Sequence, residues 1–100
     1  MVLRWIWDPE KNRTNRRDHR VSFETAELVF GDPLAITTPD PYPGEERWRT
    51  IGAPSTQGDV ILFVVHTWPT KDEAGEEVGR IISARKATRY ERRAYEEGTF

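Results

Sequence analysis

One hundred residues, 36% of them apolar and 32% charged, make one domain (1–100) able to bury a modest core without covalent staples. Cysteine is absent, which excludes disulfides and thiolate metal sites and suits a reducing compartment. Net charge is −2 but uneven: residues 1–20 and 80–100 each carry six basic against three acidic side chains, and residues 21–79 carry three against eleven. Two cationic ends meeting in space would form a positive face that concentrates anions whatever the total charge; two solvated helix surfaces are the plainer alternative. No signal peptide is expected from MVLRWIWDPEK, and the longest apolar run, Val60 to Val65, is far below the ~20 residues that span a membrane. A soluble, cytoplasmic chain with no membrane partner is expected.

In chain order, VLRWIW alternates around β-branched and aromatic residues as a first strand, with Trp5 and Trp7 on one face and at least one of them in the core. Asp8-Pro9 is a helix start, since Asp8 can cap free amides and proline suits the first helical position. The following helix, PEKNRTNRRDHR, has no apolar residue, so its ends must hold it or its side chains must serve something else. Ser22 can cap a second helix with Val21 stapled on Ala26, and Phe23, Ala26 and Phe30 share its core face up to Gly31. PLAITT reads as a short strand, PDPYPGEE as a loop, RWRTIGA as a strand and PSTQG as a hairpin connection. DVILFVVHT reads as a central strand covered on both faces, WPTKDEAGEE as a polar loop, and VGRIISA as the next strand. Thr88-x-x-Glu91 is a capping box opening the last helix. Short connections and segregated helices give an α+β fold with antiparallel later strands.

The only histidines, His19 and His66, have no carboxylate pair at ligand spacing, and no phosphate loop, nucleophile elbow or dinucleotide fingerprint appears; neither metal nor cofactor is expected. On the polar helix Asn12, Asn15 and His19 share one stripe and Lys11, Asn15 and Asp18 the adjacent one. Such a row suits phosphate, and histidine can exchange protons near neutral pH; the plainer reading is a His19 that merely favours the helix C-terminus. Strand alternation sets Arg80 with Ile82 and Ala84, and Arg85 with Ile81 and Ser83, unless the turn towards Thr88 re-aims Arg85. Arginine on a sheet face needs an anion or a carboxylate, so Arg80 is either a ligand-binding group or half of an ion pair with an acid such as Asp8 or Glu91. Glu91 reads as a cap before a catalyst. Arg47 and Arg49 share a strand face opposite Trp48, fit for stacked bases and phosphates or for ordinary packing of long stems.

WDPEKNRTN leading to HRVSFETA, then ERWRTIG, VILFVVHT and above all RIISARKATRYERRAY occur in the order of a known family. The chain resembles the BrnT toxins, the toxic half of a bacterial type II toxin–antitoxin pair. The resemblance implies a RelE-like fold: a small antiparallel sheet with two N-terminal helices and one C-terminal helix. It implies a metal-independent endoribonuclease that cleaves RNA, inhibits translation and growth, and is neutralised by a BrnA-like ribbon-helix-helix antitoxin. Operator DNA would be met only through the antitoxin complex. By position, the catalytic residues implied are Asp8, Lys11, His19, Arg80 and Arg85, and the RNA-binding ones Trp7, Arg47, Glu91 and Tyr95. Two departures stand out: Arg20 replaces the usual glycine after the histidine, and TWPT replaces a segment that often carries another arginine. Two other classes compete: a non-catalytic module binding an acidic partner through its basic face, and a DNA-binding repressor subunit, for which no recognition helix is evident.

Overall fold

The computed structural model describes residues 3–100, so Val2, at the start of the expected first strand, lies outside the described residues. Leu3–Ile6 form β1, and Asp8 caps α1 (Pro9–His19) by accepting the Glu10 N–H at 2.9 Å, with proline in the first turn. Ser22 caps α2 (Phe23–Glu27) by accepting the Thr25 N–H. The chain then tightens into a 3-10 turn, Leu28–Gly31, so Phe30 leaves the α-helix on which its spacing had placed it. The strands β2 (Ile36–Asp40), β3 (Arg47–Gly52), β4 (Leu62–His66), β5 (Thr70–Lys71) and β6 (Glu77–Lys86) follow, and α3 (Arg89–Glu97) closes the order. The strand expected from Pro33 begins only at Ile36, because Asp32 accepts the Leu34 N–H and turns the chain there. The loop expected after β4 contains the two-residue β5, paired with β6 through Thr70 and Lys71.

The sheet order is β1-β6-β4-β3-β2, with β1 parallel to β6 and the other pairs antiparallel. Every residue of β4 is buried, as its continuous apolar run requires of a strand covered on both faces. One face packs Trp5, Val21, Phe23, Ala26, Val29, Leu62, Val64, Ile81 and Ala84 under α2 and the turn after it. The other packs Ile51, Ile61, Phe63, Val65 and Ile82, with Tyr95 and Phe100 from the C-terminal segment over part of it.

β1 pairs with β6 only as far as Ile6 opposite Arg80, which would leave the outer edge of β6 unpaired beyond that point. Asn15 fills the gap from the middle of α1. Its Nδ2 donates to the Ala84 carbonyl (2.6 Å) and the Val21 carbonyl (2.9 Å), and its Oδ1 accepts the Ala84 N–H (3.2 Å). The amide therefore makes both hydrogen bonds a neighbouring strand would make, and at 6% exposure it is the only buried side chain on α1. A helix without apolar residues is thus anchored by one amide and by its caps. Asn12 adds a second tie, accepting the Phe23 N–H and donating to Glu24.

Trp5 is buried, stacked on Phe30 with ring centroids 4.0 Å apart, and laid against Gly79. A methyl group at Gly79 would fall inside the Trp5 ring. Gly79→Ala should therefore destabilise the fold by about 2–3 kcal/mol through overpacking, read as a lower midpoint in urea. A midpoint equal to the wild type would show that Trp5 is free to move.

Candidate active site

The register between β4 and β6 shifts at Val65/His66, where Val65 faces Ser83 and His66 faces Ile81. Ile82 is the extra residue of a β-bulge, and an extra residue reverses the alternation of side chains beyond it. Ile81 and Ala84 therefore share the α2 face, although regular alternation would have separated them, and Ile82 joins the opposite core. Arg80, next to a Gly79 that faces Trp5, lies on the face of Ile82. Arg85 lies there too, with its guanidinium 4.1 Å over the Phe63 ring. The bulge thus corrects the expected alternation and sets both arginines on one sheet face.

Arg49 points to the same face from β3, over the Phe100 ring, which itself packs on Phe63; Arg47, two residues earlier, shares that face. Five strand positions separate Arg80 from Arg85, about 16 Å at the Cα atoms. Arg80 is half exposed and pairs with Glu45 of the β2–β3 loop. Arg85 forms a two-pronged pair with Glu91 at 2.8 and 2.9 Å. That pair holds Arg85 above its ordinary pKa, the Glu91 hydrogen bond outweighing burial. Burial pushes the Glu91 carboxyl up, but hydrogen bonds from Arg85 and the Thr88 N–H bring it below its usual range. Arg47 lies 3.7 Å over the Tyr42 ring, and its Nε is buried with no hydrogen-bond partner.

α1 lies beside this face. Lys11, Thr14, Asn15, Asp18 and His19 line a shallow groove whose floor includes Ile82, so the groove and the arginine face share that residue. Lys11 and His19 stand two helical turns apart, about 12 Å along the axis. Asp8 is about 16 Å along the axis from His19 and its carboxylate caps the helix, so it positions α1. Trp7 packs edge-on against Phe23 in the α2-side core. The Tyr95 hydroxyl donates to Asp32 at 2.7 Å, and burial together with that bond pushes the phenol up to about 12, which keeps it protonated. Glu91 completes the capping box with Thr88 while holding Arg85. Reasoning from sequence left Glu45 and Ser83 out of the site. Nothing in the sequence pairs Glu45 with Arg80 across 35 positions, and although alternation sets Ser83 beside Arg85, only the bulge brings Arg80 onto the face they share.

His66 sits in the core at 2% exposure, edge-on to both Trp5 and Phe30. Its Nδ1 lies 2.8 Å from the Thr67 carbonyl, which can only accept, so Nδ1 carries the proton. Nε2 then accepts from the Thr50 hydroxyl, which accepts in turn from Thr37. This histidine is structural, and among the described residues no group of three or more His, Cys, Asp or Glu is placed to hold a metal.

The fold and the site define a small α+β protein with a cluster of arginines on one sheet face beside a polar helix. The chain belongs to the BrnT family, whose model, described as "Ribonuclease toxin, BrnT, of type II toxin-antitoxin system", matches residues 7–91. Its fold is similar to that of the ribonuclease toxin BrnT of Brucella abortus, solved by crystallography, with a TM-score of 0.58. The two are 22% identical, and the match covers 88% of this chain and 100% of the Brucella chain. No curated protein matches. No helix among the described residues is long and apolar enough to cross a membrane.

Burial holds the His66 pKa below 6.5, against the smaller opposite pull of the Thr67 carbonyl. The unfolded chain then binds more protons than the folded one as pH falls through the ordinary imidazole value, so stability drops with acidification. Thermal midpoints should fall between about pH 6.5 and pH 5, and His66→Gln should flatten that slope. A slope unchanged in the variant would assign the effect elsewhere.

Proposed function

We propose that this chain is a cytoplasmic, metal-independent endoribonuclease toxin that cuts RNA and arrests translation and growth. A BrnA-like ribbon-helix-helix antitoxin neutralises it, and operator DNA is met only through that complex. One observation carries this reading: a bulge gathers Arg80 and Arg85 with Arg47 and Arg49 on one face, and α1 brings Lys11 and His19 to its edge. Family membership supports the ribonuclease part.

RNA can be cut by its own 2′-hydroxyl. A base removes that proton, the 2′-oxygen bonds to phosphorus, and the bond to the 5′-oxygen breaks as an acid protonates it. The products are a 2′,3′-cyclic phosphate and a 5′-hydroxyl. His19, in the groove, is the proton-transfer group. Charge growing on the phosphate oxygens requires cations fixed around them. Arg80 is the nearer to β1 and exchanges Glu45 for a phosphate; Arg47, with a buried Nε lacking an acceptor, stands on the same face. Arg85, held by Glu91, takes a neighbouring phosphate, and Lys11 a further one along the groove. Trp7, Asp8 and Tyr95 hold the elements that carry these groups, through the Phe23, helix-cap and Asp32 contacts. Chemistry without a metal is consistent with a donor set of arginine, lysine and histidine.

A second reading, a non-catalytic module for an acidic partner, draws on the carboxylates that already answer Arg80 and Arg85. One experiment separates the two. Purified chain in EDTA should cleave RNA to cyclic-phosphate ends. Arg80→Ala should lower the rate by about 10²–10³-fold, and His19→Ala by about 10²–10⁴-fold, with thermal midpoints retained. RNA left intact by folded protein, both free and on ribosomes, would favour the module.

A further inference from the structure

The outer side of α1 carries a second cationic feature that the cleavage chemistry does not use. Arg13, Arg16, Arg17 and Arg20 line one shallow groove, and all four are exposed. At about 100° per residue they fall within one arc opposite the buried Asn15, facing away from the sheet. Arg13 pairs with Glu10 and Arg17 with the adjacent Asp18; among the described residues neither Arg16 nor Arg20 has an ion-pair partner within bonding distance.

Arg20 is the informative member. It caps α1 in the left-handed conformation, φ 61° and ψ 26°, and is the only non-glycine residue with positive φ among those described. Glycine takes that conformation without a Cβ clash, so an arginine there is held against a local conformational cost. The helix dipole favours cations in the last turn and accounts for Arg16 and Arg17. It also favours the charge of Arg20 at the C-cap, but a cation one residue earlier would serve it equally and without the left-handed conformation that position 20 adopts. A strained residue that completes a charged stripe points to a role for its side chain.

We propose that this stripe is a second RNA-binding track, which holds the phosphate backbone of the substrate strand outside the cleavage groove. Arg16 stands between His19 and Arg20 around the helix, so a strand leaving the groove past His19 meets Arg16 and Arg20 first, then Arg13 and Arg17. The guanidinium groups form two rows along the helix, Arg13 with Arg17 and Arg16 with Arg20, each pair about one turn or roughly 6 Å apart, and offer planar forks matched to phosphates rather than to bases. Binding there is independent of sequence, sensitive to salt, and available only to RNA long enough to pass the helix. This rests on the ribonuclease reading of the neighbouring groove.

The test uses the full chain and a fluorescein-labelled single-stranded uridine 20-mer whose riboses are 2′-O-methylated, which removes the attacking hydroxyl and prevents cleavage. Arg16→Gln with Arg20→Gly should weaken binding of the 20-mer about tenfold, as expected for two exposed ion pairs. The slope of log K against log salt should shrink by about 1.4, the loss of two single-strand phosphate contacts. Affinity for a tetramer of the same chemistry should stay unchanged. Arg20→Gly alone should raise the thermal midpoint while weakening the 20-mer, a combination a merely structural arginine would not give. Equal 20-mer affinity and slope in the double variant would overturn the track, even if that variant loses affinity for an acidic protein or duplex DNA. Wild-type protein that binds neither RNA length would instead fail the ribonuclease reading itself.

Discussion

The docking of α1 on the sheet rests first on the hydrogen bonds that the Asn15 amide makes to the backbone of Ala84. α1 has no apolar face to bury, so the usual reason for a helix to pack on a sheet is missing. A side-chain amide presents one acceptor and a pair of donors, the same polarity as a strand's peptide group. Set against β6 where β1 has ended, it satisfies groups that would otherwise be buried unpaired. This allows the rest of α1 to be wholly polar, and frees Lys11 and His19 to line one side and four arginines the other.

The second constraint is the bulge at Ile82. A regular β6 would divide Arg80 and Arg85 between the two faces of the sheet, one towards the α2 core. One extra residue turns both outward to the face that α3 leaves partly open. Each is then answered by a carboxylate, Glu45 or Glu91, in different settings. Glu91 is largely enclosed and also caps α3, so Arg85 is fixed in place. Glu45 sits on an exposed loop, where an ion pair contributes little to stability.

Much of the fold was legible because its signals are local. Asp8-Pro9, Ser22 and the Thr88-x-x-Glu91 box start three helices where the sequence sets them, and the run from Leu62 to His66 is buried throughout. What escaped was non-local. A bulge is a property of two paired strands, so alternation along β6 alone misassigned Arg85 relative to Arg80 and Ala84 to the wrong core. Asn15 could be placed on a stripe with His19, yet its burial depends on Ala84, 69 positions away. The two-residue β5 carries too little pattern to distinguish it from loop. Residues 47, 80 and 85 stood out as arginines flanking strands; their shared face came only from pairing.

The most direct measurement is hydrogen exchange at the Ala84 amide, made on the wild type and on Asn15→Leu together with RNA cleavage by each. If the Asn15 amide docks the polar helix, Ala84 is as protected in the wild type as the amides bonded between β4 and β6. In Asn15→Leu that protection falls at least about tenfold while the β4–β6 ladder stays closed, and cleavage is lost with α1 displaced. An Ala84 amide that exchanges freely in the wild type, or an Asn15→Leu chain that cuts RNA at the wild-type rate, would contradict this arrangement.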